Sequence, residues 1–227
     1  TKDRADSLVT QSVSIREGII EEGCWSDLSL KLYDYYLKQG HAKNKEEFKE
    51  LLEYFHQNKP QSTELMGARG RVYKYQCYVW YNFIIQDFSR CYQYALKWMK
   101  VLEERPELLN AEPELYLKGV HNALSSLFYC NAPARFDKLF GAFEVFVAGL
   151  DKRTQNIEKI CFVYLETAKL NSFFLKGQFK EGCEYLKDLE PRLEAFEDRL
   201  DMHRTMVFWY KLACMYFGAG DHKGCIK

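Results

Sequence analysis

FLKGQFKEGCEY, residues 174–185, is the stretch whose reading decides the fold. Phe174 and Leu175 belong to an apolar run with helical spacing. Gly177 interrupts that run, and Phe179, Gly182, Cys183 and Tyr185 open a second apolar face at once. A helix that stops at glycine and restarts two residues later reads as a helical hairpin. The small residue three positions after the aromatic lets the two backbones approach.

The same series recurs. Phe88 is followed by Cys91, Tyr92, Tyr94 and Ala95, Phe48 by Leu51, Leu52, Tyr54 and Phe55, and Phe136 by Leu139, Phe140, Ala142 and Phe143. His222 begins it again with Cys225 and Ile226. The anchors at 48, 88, 136, 179 and 222 are 40, 48, 43 and 43 residues apart. Between them apolar residues fall at i, i+3, i+4 and i+7, and strand signals are nearly absent. Asn44 with Glu47 forms a capping-box pair, and Ser62 or Thr63 caps the chain after Pro60. Pro106 ends one helix, Pro113 occupies a first turn, and Gly40, Gly149, Gly177 and Gly220 mark C-terminal ends. This predicts an all-α chain of ten to eleven antiparallel helices, stacked in pairs so that each covers the apolar face of its neighbour.

Composition fits this class. With 227 residues, 47% hydrophobic and 16% aromatic, the chain can bury a sizeable core. Lys plus Arg (32) balance Asp plus Glu (32), unlike the basic excess of a general nucleic-acid binder. No window approaches the ~20 apolar residues of a membrane span. The eight cysteines form no C-x-x-C pair and read as free, mostly buried thiols, which points to a cytoplasmic location. The final GDHKGCIK reads as the first turn of a further helix, so residues 1–227 are expected to be a single helical-repeat domain from a longer protein.

Trp209, Leu212, Ala213, Tyr216, Gly220, Asp221 and Cys225 follow the spacing of the tetratricopeptide repeat, with His222 in its aromatic slot. Trp25, Leu28, Ser29 and Leu32 match its first helix. Gly177, Phe179 and Gly182 match its turn and second helix, as Asp87, Phe88 and Cys91 do more loosely. The chain thus resembles that family over most of its length, with anchors 40 to 48 residues apart where the standard repeat has 34. The resemblance implies a right-handed α-α superhelix that binds a protein or peptide on its concave side, without catalysis or cofactor. Carried over by register, it proposes Tyr33, Tyr73, Gln76, Trp80, His121, Tyr164, Asn171 and Tyr210 as partner-binding positions. The Lys/Asn arrangement with which some members hold a terminal carboxylate is not evident in the sequence.

Other chemistry is weaker. His41, His56, His121, His203 and His222 stand in no recognised nucleophile or metal motif, and no catalytic or metal site is expected. MGARGRVYKY (66–75) has glycines and cations but lacks phosphate-loop spacing, and reads as a helix start with a solvated basic face. Ten aromatics from Tyr73 to Trp98, interleaved with Arg69, Arg71, Lys74, Arg90, Lys97 and Lys100, make a nucleic-acid-binding helical repeat over 69–100 the alternative reading. A less favoured one is an all-helical enzyme with a spatially assembled site. Glu194 and Asp198 lie one helical turn apart, but Arg192 and Arg199 alternate with the acidic residues of this stretch and favour a salt-bridged surface.

Overall fold

A computed structural model describes residues 2–61, 66–150 and 154–226, without the side chains of residues 2–8 and Glu197. The described residues form ten α-helices and no strand: α1 (Lys2–Gln39), α2 (Lys45–Asn58), α3 (Ala68–Ile84), α4 (Phe88–Glu103), α5 (Pro106–Ala111), α6 (Pro113–Tyr129), α7 (Pro133–Ala148), α8 (Gln155–Lys176), α9 (Phe179–Phe196) and α10 (Met202–Ala219). Two 3-10 turns, Glu197–Arg199 and Gly224–Ile226, follow α9 and α10. No helix among the described residues is long and apolar enough to cross a membrane.

Local signals explain most boundaries. Asn44 Oδ1 accepts from the Glu47 N–H at 2.8 Å, and Glu47 Oε2 accepts from the Lys43 N–H at 2.9 Å, so the expected box closes one residue early. The cap expected at Ser62 or Thr63 lies outside the described residues. Pro106 starts α5 instead of ending α4, which already stops at Glu103, because a proline at the first helical position loses no needed N–H. Pro113 and Pro133 likewise open α6 and α7.

The hairpin turn in the opening stretch is one of a set. Gly177 adopts φ +64, its N–H donates to Phe174 O, and the Gln178 N–H donates to Phe173 O at 3.0 Å. Gly220 (φ +77), Asn131 (φ 49) and Gln86 (φ 62) end α10, α6 and α3 with the same pair of bonds. Gly40 (φ +74) ends α1 with a single bond to Tyr36 O at 2.8 Å. Among the described residues these five positions, 46, 45, 46 and 43 residues apart, hold every left-handed backbone. The turn is therefore more regular than the aromatic anchors. The irregular 48-residue step places Phe136 three residues too late, since Pro133 follows its turn as Phe88 and Phe179 follow theirs.

The chain divides into two compact units, residues 1–126 and 127–227. In the first, α3 packs against α1 and α4. Trp25, Leu28 and Leu32 of α1, Leu51 and Phe55 of α2, and Cys77, Tyr81 and Ile84 of α3 make one buried cluster. Each large side chain there contributes about 1.5–3 kcal/mol. The Trp25 indole donates to Glu21 Oε1 at 3.3 Å, and the Cys77 thiol donates to Trp25 O at 3.1 Å. In the second unit, α8 packs against α7, α9 and α10, and α10 also packs on α9. Gly182 sits so close to the buried Met215 that a Cβ there would lie 2.3 Å from its sulfur, the close approach expected of the small residue after Phe179.

All eight thiols are free, but only Cys77, Cys91 and Cys161 are buried. Cys24 and Cys130 are exposed, Cys24 on an outer face of α1 and Cys130 in the turn between α6 and α7. The MGARGRVYKY stretch does start a helix at Ala68, where Arg69 pairs with Glu22 and Glu112 instead of standing free in solvent.

Candidate functional site

In the first unit, Tyr33 on α1 and Trp80 on α3 come together, with ring centroids 4.9 Å apart and Tyr33 36% exposed. Tyr36 lies 5.7 Å from Trp80 and 5.2 Å from Phe83. Phe83 in turn meets His41 at 5.2 Å and Phe88 at 5.5 Å. His41 Nδ1 lies 2.9 Å from Phe83 O, and the Ala42 N–H donates to Ile84 O, so the α1–α2 turn is tied to the end of α3. Tyr73 and Gln76 are half-buried on α3, Tyr73 against the main cluster, and His121 is half-buried on α6. Four other aromatics of the 69–100 stretch are in ring stacks or the core: Tyr78 stacks on Tyr94 at 4.6 Å, Tyr81 stacks on Phe55 of α2 at 4.6 Å, and Trp98 is buried. Arg90 pairs with Asp87, and Lys74 and Lys97 lie over the rings of Trp25 and Tyr94.

In the second unit two polar sites form on the buried side of α8. Glu166, 6% exposed, accepts from the Tyr185 hydroxyl and from the Arg192 guanidinium, both on α9. Arg192 also donates to Asp188 at 3.2 Å and lies 5.4 Å from the Phe162 ring. Burial, reinforced by the hydrogen bond and charge of Glu166, pushes the Tyr185 hydroxyl well above its ordinary value. Glu166 and Arg192 each meet an opposite charge, so this is a lock between α8 and α9. Arg192 thus pairs with Asp188 at the surface of α9 and with the buried Glu166 of α8.

The other polar site is incomplete. Asn171, 4% exposed on α8, accepts from Lys211 Nζ of α10 at 2.7 Å. The ammonium lies 5.2 Å from the Phe128 ring and 5.8 Å from the Phe174 ring. No carboxylate ion-pairs with it among the described residues. Burial lowers Lys211 to about 8, opposed only by Cys214 one turn on. Lys211 and Asn171 are 40 positions apart in the chain, and only the packing of α10 on α8 joins them. Tyr164, 7% exposed, lies two turns before Asn171, with the Arg204 guanidinium 5.9 Å from its ring.

Tyr210 is 72% exposed and belongs to a different surface. Met202, Met206, Trp209, Tyr210 and Phe217 are all exposed along one face of α10. Their i, i+4, i+7, i+8 and i+15 spacing was legible, but the family pattern had assigned Trp209 to a packing slot. A crevice beside it, lined by Leu193, Glu194, Leu200, Thr205, Phe208 and Trp209, has a volume of about 10 Å³, room for one water. No group of three or more metal-ligating side chains converges among the described residues. Compared with protein-family models, with curated proteins and with solved structures, the chain matches none of them.

Proposed function

We propose that this chain is a non-catalytic helical-repeat scaffold that binds a protein or peptide partner in the cytoplasm. Its helix pairs are read as segments of a right-handed, tetratricopeptide-like α-α superhelix, a reading supported by the left-handed turn that returns every 43–46 residues. The observation that carries the binding function is the α10 stripe. Isolated exposed apolar residues are ordinary, whereas five large ones aligned on one helix face mark an interaction surface. The row contains no Lys, Arg, Asp or Glu, so the matching partner is a segment with an uncharged apolar face. Trp209 and Tyr210 supply the amphipathic aromatic anchors that dominate such contacts. The free thiols agree with a reducing compartment.

The test is a displayed peptide library panned against the chain, with the binders then measured against the double variant Met206→Ser/Trp209→Ser. Unchanged helicity with affinity reduced tenfold or more is the expected result. Binders that hold their affinity for the double variant would refute the assignment of this face. A parallel measurement on Trp80→Ala reads the Tyr33–Trp80 face separately.

A further inference from the structure

We propose that Lys211 is a covalent attachment site for an apolar or aromatic aldehyde, held as a Schiff base between Phe128 and Phe174. The arrangement is unusual for a lysine. Most lysines keep the ammonium in water, whereas this one extends between two phenyl rings and meets a single neutral acceptor, Asn171 Oδ1, at 2.7 Å. Burial there without a counter-charge makes the amine easier to deprotonate than a solvated lysine, and a neutral amine is the nucleophile of carbonyl chemistry. It can donate one proton to Asn171 and still present its lone pair. The rings offer an aromatic aldehyde a stacking surface on either side.

Acidic groups on the other helices of this unit have partners of their own. Asp137 of α7 pairs with Lys176 at 2.9 Å, Glu166 of α8 with Arg192, and Glu190 of α9 accepts from the Tyr216 hydroxyl. Cys214 on α10 is the titratable side chain that acts on the amine. The step balances without an oxidant or reductant. Nζ attacks the carbonyl carbon, a C–N bond forms, and both amine protons leave with the carbonyl oxygen as water. A proton taken up from solvent by the imine nitrogen then restores a donor to Asn171.

Lowering the amine from 10.5 to about 8 raises its neutral fraction at pH 7 roughly 300-fold. The accompanying loss of intrinsic nucleophilicity, scaled as it is for thiols, removes about tenfold of that. Lys211 should therefore react about 10- to 30-fold faster than an ordinary lysine.

The experiment treats the chain with benzaldehyde and cyanoborohydride at pH 7 and follows each lysine by peptide mass mapping. Initial modification at Lys211 at least tenfold faster than at the exposed Lys138 and Lys187, with a pH midpoint near 8, is expected. A rate at or below that of those two lysines overturns the proposal. Glyoxylate, an anionic aldehyde, should react more slowly than benzaldehyde at Lys211, and equal or faster reaction overturns the apolar assignment. Phe174→Ala, checked for folding by circular dichroism, should bring the rate toward that of the exposed lysines. If that variant does not fold, the wild-type rate ratio decides alone.

Discussion

Trp25 on α1 and Trp209 on α10 head the same pattern, with Leu three residues later, a small residue at four and an aromatic or aliphatic residue at seven. In the first unit the pattern is buried throughout: Trp25 is 1% exposed, Leu28 2%, Ser29 3% and Leu32 0%. In the second unit Leu212 is 2% exposed, yet Trp209 is 44% exposed. The difference lies in the neighbours. The Trp25 face is covered by α2 and α3, with Cys77, Phe55 and Tyr78 against or near the indole. The Trp209 face has α9 on one flank and the apolar stripe on the other. A spacing pattern thus specifies which side chains share a helix face, and burial needs a second element to lie on that face.

The largest expected effect separates these two tryptophans. Trp25→Ala should cost about 3–5 kcal/mol in urea unfolding, since it empties a filled core site. Trp209→Ala should change stability by less than about 1 kcal/mol. Equal losses would mean that the indoles are equally buried and would remove the contrast.

Next in size is the pH dependence of Lys211. The folded state binds this proton less tightly than the unfolded chain does. Between about 8 and 10.5 the unfolded chain therefore carries the proton and the folded one does not, and stability rises with pH. Relative to Lys211→Met, the wild type should gain on the order of 2–3 kcal/mol across that window, all of it lost again as pH falls through 8. The tyrosines that Glu166 and Glu190 hold protonated cancel in the difference. A flat difference curve would show Lys211 to be solvated like any surface amine.

Gly182→Ala should cost about 1–2 kcal/mol, because the new methyl group meets the Met215 thioether and that fully buried side chain must shift. The same methyl at Gly141, where nothing lies within 4 Å, should be neutral or slightly stabilising by helix propensity.

The smallest effect sharpens the comparison at the turns. Gln86 and Gly177 hold the same left-handed position with the same hydrogen bonds, but a Cβ is strained there. Gln86→Gly should raise the unfolding midpoint, by about 0.5–1 kcal/mol, while Gly177→Ala should lower it by a similar amount. A stabilising effect at both positions would show that the two turns are not equivalent.

Three of the five left-handed turns were readable because glycine occupies them, and the capping box at Asn44 because its partner is three residues away. Gln86 escaped notice since glutamine does not announce the conformation, whereas Asn131, which tolerates it, was a signal passed over, and Phe136 was taken as an anchor in place of Pro133 for that reason. The Tyr33–Trp80 pairing and the Lys211–Asn171 hydrogen bond each join separate helices. The register proposed Tyr33, Trp80 and Asn171 one by one, but it held no sign of which would meet, nor that Lys211 belonged with them.

By itself, then, the sequence determined the helices, their stops and their apolar faces, because capping, left-handed turns and 3.6-residue periodicity act over a few neighbouring residues. Tertiary structure alone decided which faces were covered, which tryptophan was core and which lysine lost its water. Those outcomes depend on contacts between residues tens of positions apart, and a local pattern carries no record of the distance between them.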